Sequence, residues 1–160
     1  MKKHQQTIGK SQEWLTPPEI IQALGKFDLD PCNAKNNPFV TGKLSFYEEG
    51  LEKLWFGRVW CNPPFDRRER PKWMKKMSEH NNGIMLIPAA CETDAFYKYV
   101  WGKASGICFL KGRPHFYYVD GINMFHKAKA NSSCTICLVS YEEENYKMLE
   151  KSNLGVTIKL

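Results

Sequence analysis

An α/β fold with a largely parallel sheet, helices on both sides and a single domain is what this sequence predicts, on three observations. Short apolar runs of strand length alternate with stretches of helical character along most of the 160 residues. One run, 83–89 with Ile84, Met85, Leu86 and Ile87, is apolar without alternation, as strands buried on both faces of a parallel sheet are. Another, Arg58-Val59-Trp60-Cys61, leads straight into Asn62-Pro63-Pro64-Phe65. Proline has no amide hydrogen for a sheet ladder, so two in succession end the strand stiffly. The carboxyl ends of strands are where open α/β sheets place their ligand crevices. No repeat or low-complexity linker divides the chain, and its length suffices for a proper core.

The elements follow in order. Residues 1–13 are polar and lysine-containing, and are expected to form a flexible N-terminal segment rather than a signal peptide. Trp14-Leu15-Thr16-Pro17-Pro18-Glu19 reads as a helix start, with Thr16 and Glu19 as a capping box and Pro17 at the first helical position. That helix turns Ile20, Ile21 and Leu24 inward and stops at Gly25. Phe27-Asp28-Leu29-Asp30-Pro31-Cys32 is a short strand ended by proline, and 33–45 reads as loop. An acidic pair, Glu48-Glu49, precedes the strand that ends at Asn62.

A charged segment with Arg67, Arg68, Arg70 and Lys72 comes next. After it a short helix buries Trp73, Met74 and Met77, and Asn81-Asn82-Gly83 ends it. Thr93 or Asp94 caps a further helix whose Phe96, Tyr97, Val100 and Trp101 share a face. Residues 107–110 are a buried strand, and 111–133 a long stretch alternately polar and aromatic. Residues 134–140 are a strand, 142–152 a helix with Glu143 and Lys147 spaced to pair, and 156–160 a last strand.

The net charge of +6 favours an anionic partner, nucleic acid ahead of a membrane surface. No apolar run approaches a membrane span, so a soluble protein of the cytoplasm is expected. Six cysteines are spread along the chain, mostly in apolar runs, where cysteine acts as a small buried hydrophobe. Cys134-Thr135-Ile136-Cys137 has the gap of a zinc knuckle, but residues three apart on a strand point to opposite faces. Reduced, structural cysteines and no metal are expected.

The chemistry concentrates at Asn62-Pro63-Pro64-Phe65, which offers an amide, a prolyl carbonyl and an aromatic face. Together these can grip a planar group bearing an exocyclic amine, such as an amino-purine. The bland alternative is a rigid turn with Phe65 packed in the core.

Several islands together resemble the phage-type (Dam-like) DNA N6-adenine methyltransferases. They are Trp14-x-Thr16-Pro17, Asp28-x-Asp30-Pro31-Cys32-Asn33, Glu49-Gly50-Leu51, and Trp55-x-Gly57-x-Val59 running into Asn62-Pro63-Pro64-Phe65. Leu86-x-Pro88-Ala89 and Phe109-x-x-Gly112-Arg113-x-x-Phe116 follow, so the likeness covers residues 14–140 in order. It implies a Rossmann-like fold that binds S-adenosylmethionine and transfers its methyl group to N6 of an extruded adenine, leaving S-adenosylhomocysteine.

By this resemblance Asn62 and the Pro63 carbonyl accept hydrogen bonds from the amine, Pro64 stiffens the corner, and Phe65 stacks on the base. Trp14, Thr16 and Pro17 lie near the methionine end of the cofactor. Asp30 meets its amino group or ribose, with Cys32 and Asn33 in the same turn. Glu49, with Glu48 as rival, lies beside its adenine or ribose.

Many adenine methyltransferases carry a glycine-rich Phe-x-Gly-x-Gly loop where this chain has Pro31-Cys32-Asn33, which agrees with the phage-type branch. DNA contacts fall to Arg67, Arg68, Arg70, Lys72, Arg113 and His115, mostly on phosphate. A homodimer is one way for so small a catalytic domain to embrace a duplex. Shielding DNA from nucleases, as in restriction-modification, and altering gene expression both remain open. So do RNA adenine, DNA cytosine N4 or protein glutamine as substrates of the same chemistry, and a non-catalytic nucleic-acid-binding relative.

Overall fold

The structure, a computed structural model, describes residues 14–119, 125–128 and 132–160; the segment 1–13 expected to be flexible lies outside them. The first half of the chain holds α1 (Pro18–Leu24), β1 (Leu29–Asp30), β2 (Leu44–Ser45), β3 (Val59–Cys61), α2 (Arg70–His80) and β4 (Gly83–Pro88). The second holds α3 (Asp94–Phe96) with a π-helical turn (Tyr97–Trp101), β5 (Gly106–Leu110), β6 (Tyr117–Val119), β7 (Phe125–Lys127), β8 (Ile136–Tyr141), α4 (Glu143–Lys151) and β9 (Gly155–Lys159).

Seven strands form one sheet in the order β2-β1-β3-β4-β8-β5-β9, and β6 and β7 form a separate hairpin. The α/β class and the helices on both faces are as expected. The largely parallel sheet holds in part: β2, β1, β3 and β4 pair in parallel and β5 runs the same way, whereas β8 and β9 run against them in the pairs β4/β8, β5/β8 and β5/β9. The cause lies in the connection. β4 and β5 run the same way, but the chain returns from β5 through the β6/β7 hairpin with no crossover helix, and β8 slots between them in the opposite sense.

Alternate residues of the central strands feed two cores. Met85 and Ile87 of β4 face Trp73, Met74 and Met77 of α2 and Phe96 and Val100 of the α3 turn. Ile84 and Leu86 face Ile20, Ile21 and Leu24 of α1 and Leu149 of α4. All six residues of β4 are buried, and each large apolar side chain so covered contributes about 1.5–3 kcal/mol. Cys137 packs in the first core and Cys134 against the second; the expected strand 134–140 begins only at Ile136, so Cys134 precedes it.

Several local expectations are corrected. Thr16 does not cap α1: Pro17 is the N-cap residue, Pro18 opens the helix, and no side chain caps it. Thr16 thus precedes the N-cap position, and its hydroxyl accepts from Asn62 instead. Tyr97 and Trp101 are 65% and 38% exposed rather than inward, because a π-helical turn breaks the 3.6-residue period behind Phe96. Lys147 pairs with Glu144, not Glu143, whose carboxylate meets Lys159. The predicted loop 33–45 contains β2, and the strand around Leu29 is only two residues long. Among the described residues, no helix is long and apolar enough to cross a membrane.

Candidate active site

From β1 the chain moves outward to β2, then returns to place β3 on the other side of β1. Where strand order reverses, the following turns diverge and open a crevice. A cleft of about 350 Å³ lies there. Asp30, Cys32 and Asn33 line it after β1, Tyr47, Glu48 and Glu49 after β2, and Asn62 to Phe65 after β3, with Trp14 and Thr16 closing one side.

Asn62 is pinned by its nitrogen. Nδ2 donates to the Trp14 carbonyl at 2.8 Å and to Thr16 Oγ1 at 3.2 Å. Oδ1 has no partner among the described residues, leaving a bare acceptor on a residue that lines the cleft. Pro63 is buried and Pro64 half-buried. Phe65 is half-buried rather than interior; it stands edge-on to Phe116 with centroids 6.0 Å apart and also lines the cleft. Arg70 Nη1 donates to the Phe65 carbonyl at 3.1 Å, which ties the corner to the first turn of α2.

Asp30 is 3% exposed and faces no cation among the described residues. Its Oδ2 accepts from Thr41 Oγ1 at 2.5 Å and its Oδ1 from the Cys32 amide at 3.0 Å. Burial pushes its carboxyl up to about 6, against the pull of those two bonds. Asn33 braces the same turn, donating to Ser45 Oγ at 3.0 Å and accepting from Asn37 Nδ2 at 2.8 Å. The β2 turn presses so close that a Cβ on Gly50 would lie 1.9 Å from the Pro31 carbonyl oxygen, so only glycine fits. Glu48 is engaged by Lys35, which holds its carboxyl below the usual range. Glu49, in the left-handed region at φ 56, is exposed and without an ion-pair partner among the described residues. Both acids line the cleft; Glu48 carries an ion pair there and Glu49 carries none among the described residues.

The other expected residues are dispersed. Pro17 borders not this cleft but a second recess of about 250 Å³, shared with Lys111, Arg113, His115 and Lys127. Arg113 is exposed and donates to the Ser133 carbonyl at 3.5 Å, while the His115 ring meets the Ala128 carbonyl at 3.2 Å. Arg67 and Arg68 are exposed beside the proline corner, Lys72 is paired with Glu69 at 2.8 Å, and Arg70 is committed to Phe65. Sequence reasoning missed Thr41, Tyr47 and Trp73 in the cleft. It also missed the tie from Thr16 to Asn62, for which no local signal exists.

No curated protein matches the chain, and no solved structure matches it. The family model described as DNA N-6-adenine-methyltransferase (Dam) matches residues 4–156. That span takes in the cleft, the proline corner and the recess, and the chain belongs to the Dam family of DNA N-6-adenine methyltransferases.

Proposed function

We propose that the chain methylates N6 of an adenine extruded from DNA into the cleft, using S-adenosylmethionine. The observation that carries this reading is the carboxamide of Asn62, anchored through both nitrogen hydrogens with its oxygen left as acceptor. An adenine amine has two N–H donors. Asn62 Oδ1 takes one and the Pro63 carbonyl the other, which draws the nitrogen lone pair out of conjugation with the ring. An amide cannot remove a proton, so Asn62 orients and polarises, and the proton leaves to water afterwards. Phe65, half-buried and braced by Phe116, supplies a face on which the base stacks once its duplex neighbours are lost.

The donor set of the cleft suits the cofactor. Asp30 fits an ammonium or ribose hydroxyls, Glu49 fits hydroxyl or amine donors, and Trp14 and Tyr47 offer aromatic faces. When bound, S-adenosylmethionine supplies a methyl group already activated on a sulfonium. Pro31-Cys32-Asn33, in place of a glycine-rich loop, supports the phage-type branch. The net charge of +6, exposed Arg67 and Arg68, and the basic recess around Arg113 support a polyanionic substrate.

The test is incubation with methyl-tritiated S-adenosylmethionine and, separately, duplex DNA, RNA or a glutamine peptide. Label on DNA alone, recovered as N6-methyladenine, is expected. Label on RNA, on cytosine N4 or on the peptide would reassign the substrate. No label, with no binding of S-adenosylhomocysteine by calorimetry, would leave a non-catalytic nucleic-acid-binding relative.

A further inference from the structure

We infer that Thr16 is a positioning residue whose hydroxyl, as second acceptor beside the Trp14 carbonyl, holds the Asn62 carboxamide with its oxygen toward the cleft; this rests on the reading of Asn62 as the acceptor for the amine. A carboxamide has two ends of similar shape, one donating and one accepting. With Oδ1 toward the cleft it welcomes an N–H donor. Turned by half a rotation it would present NH2 to NH2, and the amine would be repelled. The choice is made at the inner end.

Two acceptors stand there, the Trp14 carbonyl at 2.8 Å and the Thr16 hydroxyl oxygen at 3.2 Å. A backbone carbonyl can only accept, so with both in place the nitrogen must point inward. Thr16 is 2% exposed, so bulk water is poorly placed to replace its hydroxyl.

The fold holds these acceptors in place. Leu15, between them, exchanges two backbone bonds with Tyr117 of β6, at 2.8 and 3.0 Å. Successive carbonyls of extended backbone point to opposite sides, so the pairing of Leu15 with the hairpin turns the Trp14 carbonyl toward Asn62. The segment is thus clamped on one side by the hairpin and grips the reactive corner on the other. Because α1 begins at Pro18 with Pro17 as N-cap, Thr16 lies outside the helix and its hydroxyl caps nothing there.

Substitution separates this role from cofactor binding, since Thr16 also borders the cleft. Three variants are assayed for kcat on DNA at saturating S-adenosylmethionine and for S-adenosylhomocysteine affinity by calorimetry. Thr16→Val keeps the shape and removes the acceptor; it should lower kcat about 10- to 100-fold, as loss of an orienting hydrogen bond does, with affinity changed less than about threefold. Thr16→Ser keeps the hydroxyl and should recover kcat to within about threefold of wild type. Combined with Asn62→Ala, Thr16→Val should lower the residual rate no further, because the group it orients is gone. An unchanged kcat in Thr16→Val overturns the inference. So does a loss of cofactor affinity with kcat intact, which would make Thr16 a cofactor ligand. Should Thr16→Val fail to fold, Thr16→Cys replaces it, with a weaker acceptor and at least about a threefold fall in kcat expected; wild-type kcat would again overturn the inference. Wild-type activity in Asn62→Ala alone would instead sink the reading of Asn62.

Discussion

Asp28 and Asp30 flank Leu29, and the protein treats them in opposite ways. Asp28 accepts from Lys43 Nζ at 2.8 Å and from the Arg58 amide at 2.9 Å, and these partners hold its carboxyl below the ordinary range. Asp30 is enclosed without a cation, and burial drives its carboxyl up. The contrast extends to the two ends of the sheet. At the amino end Arg58 Nε donates to Asn145 Oδ1 at 2.6 Å, its Nη1 to the Lys26 carbonyl at 2.9 Å, and its guanidinium lies 4.1 Å from the centre of the Phe27 ring. Asn145 in turn donates to Asn82 Oδ1 at 2.9 Å. At the carboxyl end Asn62 Oδ1 and the Glu49 carboxylate have no partner among the described residues. The amino end is knit by side-chain bonds, with only Arg58 Nη2 buried and unpaired among the described residues, whereas the acceptors at the carboxyl end face an open cleft.

The largest expected effect tests the open end. Asn62→Ala should lower kcat by about a thousandfold, the scale for removing one preorganised polar group at a reacting centre. Its melting temperature should change far less than its rate, since the lost bonds serve orientation. A variant that unfolds while keeping its turnover per folded molecule would reverse the proposed division of labour.

The opposite pattern is expected at the stitched end. Arg58→Ala removes two side-chain hydrogen bonds and a cation–π contact, and should cost about 3 kcal/mol in urea unfolding. Turnover per folded molecule should stay within about twofold of wild type, because nothing at that end faces the cleft. Slowed methyl transfer with unchanged stability would dissolve the contrast.

What the sequence reveals of this arrangement follows from the range of each signal. The proline corner, the unbroken apolar run of β4, the Thr93 cap and the buried faces of α1 and α2 are all local, and all appear as read. The sense of β8 is not local: Ile136–Tyr141 is buried on both faces whether its neighbours run with it or against it. A two-residue strand such as β2 has no period to recognise. The Thr16–Glu19 pair matches a capping box letter for letter, but the helix begins at Pro18 with Pro17 as its N-cap residue, which leaves Thr16 one position too early to cap it. Thr41 reaches Asp30 from eleven residues away, and Arg70 turns from solvent to the Phe65 carbonyl; no composition or spacing distinguishes such a residue from an ordinary surface one.

Asp30 carries the sharpest pH dependence. Its folded-state pKa of about 6 lies above the ordinary 3.8, so its contribution to stability is full below 3.8 and is lost as pH rises through 6. Asp30→Asn can accept from the Cys32 amide through its oxygen and donate from its nitrogen to the Thr41 hydroxyl, without the buried charge. It should therefore be more stable than wild type above pH 6, by up to about 3 kcal/mol at 1.36 kcal/mol per pH unit, with the gap closing toward pH 4. Cofactor binding should move the other way. S-adenosylhomocysteine affinity in wild type should rise as pH passes upward through 6, and fall about tenfold in Asp30→Asn at pH 8. Equal affinities at pH 8 would remove Asp30 from the cofactor site and leave its burial unexplained.

The smallest effect is expected at Asp28, and its sign sharpens the comparison most. Lys43→Met removes a cation that is 72% exposed from a carboxylate that is 35% exposed, a pair of the kind that solvent and salt screen strongly. Because the folded-state pKa of Asp28 is lowered, its contribution to stability is present above the ordinary value and disappears as pH falls through the folded one. Wild type should thus exceed Lys43→Met slightly in melting temperature at pH 7, with the margin gone at pH 2 and reduced in high salt. The two aspartates then titrate with opposite signs in opposite directions: neutral pH favours the charge at Asp28 and penalises it at Asp30. Methyl transfer should be indifferent to Lys43. If instead Lys43→Met weakened S-adenosylhomocysteine binding while leaving stability alone, Asp28 would belong with the open end, and the boundary between the two regions would have to move past Leu29.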